Sequence, residues 1–79
     1  MLNLPEWVTE RVGFKKKDFA LVLDVLQAEA VDCEQDMANL VGVGWQPQER
    51  PSTKVMFDRM TVLGQQEFFN LIKSFEAIV

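Results

Sequence analysis

Asp32, Glu34 and Asp36 put three carboxylates at alternate positions, the pattern with which an EF-hand calcium loop opens. Such a loop also needs Gly at its sixth position and a bidentate Glu at its twelfth. Met37 and Val43 stand there, so the sharp turn and the closing ligand are both missing. The sequence has no histidine, which removes the commonest general base, metal ligand and physiological proton switch. A zinc site would fall to the single Cys33 and carboxylates, a poor donor set for that ion. Cys33 has no histidine to pair with and no adjacent Lys or Arg to activate it. Gly42-Val43-Gly44 lacks the third glycine of a dinucleotide fingerprint, and no phosphate-binding P-loop is present. Paired carboxylates could still do acid–base work, but that needs a cleft that a chain this short rarely builds. The chain is expected not to be an enzyme and to hold no metal or cofactor.

Lys15-Lys16-Lys17 is the only basic cluster. Nucleic-acid binding by counterion release requires many phosphate contacts on one face, and a chain with a net charge of −4 offers few. Nucleic acid is therefore not expected as a partner, and the triplet reads as a solubilising turn. Charge is distributed unevenly. Arg11 and Lys15 to Lys17 stand against Glu6 and Glu10 in the first segment. Between Asp18 and Glu49 there are only acids: Asp18, Asp24, Glu29, Asp32, Glu34, Asp36 and Glu49. From Arg50 onward, Arg50, Lys54, Arg59 and Lys73 face Asp58, Glu67 and Glu76. An acidic middle with mildly basic flanks can dock head to tail on a copy of itself or on a basic partner. The same middle could simply be a solvated face that keeps the domain soluble.

Positioning any of these groups falls to a small core. The chain has 79 residues, 48% of them hydrophobic, with six Phe and two Trp, which suits one folded domain over residues 1–79. The longest apolar run, Phe19 to Val25, is interrupted by Asp24 and is too short to span a membrane. No secretory signal pattern is visible at the N-terminus, and the single cysteine fits a reducing, cytoplasmic setting.

Helical spacing dominates. Pro5 suits a first helical turn, with Leu4, Trp7, Val8 and Val12 near one face and Gly13 as a left-handed stop. Asp18 is a possible N-cap for a helix from Phe19 to Ala30. Phe19, Val22, Leu23, Leu26 and Ala30 form one side of it, and Leu21, Val25 and Ala28 a second strip. Asp32, with Gln35 at capping-box spacing, can start a third helix carrying Met37, Leu40 and Val41 and stopping at Gly42. Gly42 to Pro51 reads as a loop, in which Trp45 either folds back as a lid on the core or stands out as a contact anchor. Ser52 is expected to cap a short fourth helix through about Met60, with Val55, Met56, Arg59 and Met60 at loose helical spacing. From Leu63-Gly64 onward, Phe68, Leu71, Ile72, Phe75, Ile78 and Val79 define the longest helix. The expected fold is an all-α, compact five-helix bundle with a short fourth helix and a long C-terminal helix.

Read in this order, the segments resemble the sterile alpha motif (SAM) domain family over roughly Pro5 to Ile78. Pro5 to Phe14 looks like the family's Trp-containing opening helix with its Gly-apolar ending, and Asp18-Phe19 through Glu29-Ala30-Val31-Asp32 like its second segment. Asp36-Met37-Ala38-Asn39-Leu40 is similar to the third helix, and Val62-Leu63-Gly64-Gln65-Gln66-Glu67-Phe68-Phe69 to the entry of the fifth. The Leu-Gly step suits a sharp turn and close packing before that helix. Two features depart from the family: a longer Val41–Pro51 link, and Gln65 and Gln66 where basic residues often begin the fifth helix.

The resemblance implies a protein–protein interaction module, homotypic or heterotypic, in which a mid-loop surface of one copy meets the start of the fifth helix of the next. Asp24, Glu29, Asp32, Glu34 and Asp36 would form the acidic mid-loop side. Arg59, Gln65, Gln66 and Lys73 would form the opposing end-helix side, helped by unsatisfied N–H groups at the helix start. A contact of this kind can propagate into a filament or close into a ring. The alternative is a small acidic helical adaptor or inhibitor that binds a basic foreign partner without self-association.

Overall fold

A computed structural model describes residues 2–76. Its helices are α1 (Glu6–Thr9), α2 (Phe19–Ala28), α3 (Glu34–Gly42), α4 (Pro51–Arg59) and α5 (Val62–Glu76). Single 3₁₀ turns occur at Lys16–Asp18 and Pro47–Glu49. No strand is present among the described residues, and the five-helix all-α architecture is the one the apolar spacing predicts. At nine residues α4 is short, though α1 with four is shorter. Ile78 and Val79, expected on the apolar side of the last helix, lie outside the described residues.

One core unites the helices. Val8, Val22, Val25, Met37, Phe57, Phe68, Leu71, Ile72 and Phe75 are buried in it. Phe68 is the hub: its ring lies about 6 Å from those of Phe14, Trp45 and Phe57. Fully burying one side chain of this size contributes roughly 1.5–3 kcal/mol. The inward residues are Thr53 and Phe57 on α4 and Met60 just after it, while Val55, expected with the apolar set, is exposed. Position 53 faces inward as a polar residue because its hydroxyl donates to the Pro47 carbonyl at 2.6 Å, tying the 3₁₀ turn to α4.

Helix ends differ from the sequence expectation in instructive ways. Neither Gly13 nor Gly42 adopts a left-handed conformation. Instead α3 runs through Gly42 and closes at Gly44, whose φ is 83°, with Gly44 N–H bonded to Val41 O and Trp45 N–H to Leu40 O. That pair of bonds is a Schellman motif. An identical motif closes α2, with Ala30 N–H on Gln27 O and Val31 N–H on Leu26 O. There the left-handed position is filled by Ala30, φ 55°, a conformation that costs an L-residue about 1–2 kcal/mol.

The expected N-caps are displaced too. α3 begins at Glu34, behind Cys33, and the reach-back to Asp32 N–H comes from Asp36 at 3.0 Å rather than from Gln35. Gln35 bonds Asn39 instead. α4 begins with Pro51 as its first residue, so Ser52 lies inside the helix and caps nothing.

Candidate interaction surfaces

Asp18 organises the geometry. It stands at the N-cap position of α2, yet its side chain makes no cap bond. It is 1% exposed and accepts from the Thr61 N–H at 3.0 Å and the Thr61 hydroxyl at 2.6 Å. The carboxylate thereby pins the start of α2 to the start of α5, 43 residues away in sequence. Gly64 makes this possible, since a Cβ there would come within 2.8 Å of Asp18 Cγ. The glycine lies in the first turn of α5, not ahead of it, so close approach is its role and a sharp turn is not.

The chain from Arg11 to Asp18 then runs antiparallel along α5. Arg11 sits over the Phe75 ring at 4.1 Å and reaches Ser74 Oγ at 3.3 Å. Gly13 N–H donates to Glu67 at 2.7 Å, Phe14 packs on Phe68, and Asp18 holds Thr61. Lys15, Lys16 and Lys17 therefore lie beside the first two turns of α5. All three are exposed, and among the described residues none has a carboxylate within 4.0 Å. Their own spacing fits a solubilising turn; the signal that places them is Gly64, a glycine inside an apolar helix that marks a close backbone approach.

The start of α3 lies at the other end of α5. Cys33, Glu34, Gln35 and Ala38 share a shallow groove with Phe75. α5 is about 22 Å long for its 15 residues. The body measures only 31 × 27 × 21 Å, so the two ends of α5 lie near opposite surfaces.

The five acids named for the mid-loop side do not act alike. Asp24 and Asp32 are exposed. Asp36 is half-buried and bonds Asp32 N–H. Glu34 is ion-paired with Arg11. Glu29, whose side chain is only 7% exposed, pairs with Arg50 at 2.8 Å and accepts from the Trp45 indole at 3.0 Å. Trp45 is thus a buried lid tied down by Glu29 and seated on Phe68. Internal neutralisation removes Glu29 and Glu34 as free charges and leaves Asp24, Asp32 and Asp36. It also separates Asp32, Glu34 and Asp36 chemically, and among the described residues no three His, Cys, Asp or Glu groups converge on a common point.

The end-helix set divides as well. Arg59 and Gln66 are exposed near the α4–α5 junction. Gln65 donates its side-chain amide to Phe57 O at 3.0 Å, closing α4 and leaving little to offer a partner. Lys73 is exposed but lies in the last turn of α5, about 10 Å along the axis from Gln66, and so belongs to the α3 end. Val62, 73% exposed, and Leu63 add apolar surface at the start of α5.

Among the described residues no helix is long and apolar enough to cross a membrane. Comparison of the chain with protein-family models, with curated proteins and with solved structures finds no match.

Proposed function

We propose that this domain is a non-catalytic protein–protein interaction module of the SAM type, which associates head to tail and scaffolds or oligomerises the protein that carries it. One observation carries the reading: exposed groups from the two expected sides stand at opposite ends of α5, Asp32 and Asp36 near its C-terminal end, where α3 starts, and Arg59 and Gln66 near its start. Poles so arranged cannot satisfy each other within one copy, and a heterologous contact between copies leaves a free pole at each end. Asp24, Asp32 and Asp36 form the acidic side in this reading, with Arg59 and Gln66 on the other. The exposed Cys33, unpaired within the chain, fits an intracellular, reducing site of action.

Sedimentation velocity of the isolated domain over rising concentration tests the proposal. Growth beyond a dimer at low ionic strength, reversed by ~0.5 M salt, is expected of a contact between exposed charges. A monomer at every concentration would favour the other reading, an acidic adaptor for a basic foreign partner.

A further inference from the structure

The antiparallel course of Arg11–Asp18 along α5 brings the densest positive charge of the chain beside an apolar depression. A groove of about 300 Å³ is lined by Leu2, Asn3, Lys16 and Phe19. Leu2 is 57% exposed and Phe19 is half-buried. Lys15 and Lys17 flank it in sequence. Asp18, next to Lys17 in the chain, and Glu67 on α5 are each held by a backbone N–H group, Thr61 for the first and Gly13 for the second. Among the described residues neither pairs with a lysine. The result is an apolar seat with Lys16 in its wall and two further exposed lysines, Lys15 and Lys17, next to it in the chain.

The acidic side carries the reciprocal feature. Val43, the C-cap residue of α3, is 77% exposed, the most exposed of the large apolar side chains. It stands seven residues, two helical turns, beyond Asp36 and so shares its face of α3. Asp32 and Asp36 supply negative charge at the start of the same helix.

We infer that the groove formed by Leu2, Asn3, Lys16 and Phe19, with Lys15 and Lys17 adjacent in the chain, receives the Asp32–Val43 face of a second copy. Val43 enters the apolar seat and the lysines meet Asp32 and Asp36. This rests on the head-to-tail reading proposed above but moves its opposing side from Arg59 and Gln66 to the turn before α2. The departure of Gln65 and Gln66 from the expected basic residues then has a compensation: the charge is supplied by a neighbouring segment that the Asp18–Thr61 clasp holds against the same helix end. A groove this small admits one or two side chains, and the exposed acid-flanked valine on the chain's own surface matches it in size and in charge.

The test compares wild type, Lys15→Glu/Lys16→Glu/Lys17→Glu and Val43→Ser by sedimentation velocity, with circular dichroism melting as the control for folding. The expected result is wild-type assembly, roughly hundredfold weaker association of the lysine variant, and a smaller loss for Val43→Ser, all at unchanged melting temperature. Wild-type assembly matched by the lysine variant would overturn this inference alone and leave head-to-tail association intact. A wild type that stays monomeric would overturn both.

Discussion

Two carboxylates at the ends of α2 are almost removed from water, and they are satisfied in opposite ways. Asp18, at the start, takes an N–H and a hydroxyl from Thr61, both neutral donors. Glu29, just beyond the end, takes the Trp45 indole and the Arg50 guanidinium. The first arrangement hides a negative charge without using a cation, so the three lysines before it stay available at the surface. The second uses a cation, so Glu29 contributes structure instead of field. Formal charge counted along the chain therefore misstates the surface. The base-free middle loses Asp18, Glu29 and Glu34 to internal contacts, while the first segment keeps Lys15 to Lys17.

The strongest way to break this comparison is to remove the hub that both ends of α2 depend on. Phe68→Ala should cost about 3–5 kcal/mol, much of the stability of a domain this size, read as a shift or loss of the urea transition. Next, Gly64→Ala should cost about 1–3 kcal/mol by driving a methyl into a carboxylate that two hydrogen bonds hold in place. Asp18→Ala should lose a similar amount, because the Thr61 N–H loses its partner in a partly buried site. If Asp18 clasps as described, adding Asp18→Ala to Gly64→Ala should cost less than the two single losses combined.

A stabilising change sharpens the other end of α2. Ala30→Gly should raise stability by about 0.5–1 kcal/mol, since glycine accepts the left-handed conformation without the steric penalty. The smallest effect is expected at Lys54→Ala. It breaks an exposed i,i+4 pair with Asp58, worth about 0.3–0.5 kcal/mol at low salt. A loss above about 1 kcal/mol there would mean that this exposed pair contributes more than a solvent-screened contact can.

Local features were legible in the sequence. The inward positions Val22, Val25, Leu26, Met37, Val41, Phe68, Leu71, Ile72 and Phe75 follow from helical spacing, and each is buried. What spacing cannot encode is the long-range partner of a polar group. Asp18 looks like an N-cap because the residues after it are helical, and only the approach of α5 turns it the other way. Glu29 and Glu34 look like solvated acids because Arg50 and Arg11 are 21 and 23 residues distant. Helix stops were misplaced for a related reason. Glycine marks a permissible left-handed site, but Ala30 occupies one because the Schellman bonds and the burial of Val31 offset its strain.

The two-pole arrangement meets its most direct test in a mixing experiment. One variant carries Lys15→Glu/Lys16→Glu/Lys17→Glu, and the other carries Asp32→Lys/Asp36→Lys, so each retains one intact pole. Alone, each should sediment as a monomer; combined in equal amounts, they should form a 1:1 dimer that grows no further. Two variants that stay monomeric when mixed, under conditions where the parent assembles, would contradict the account.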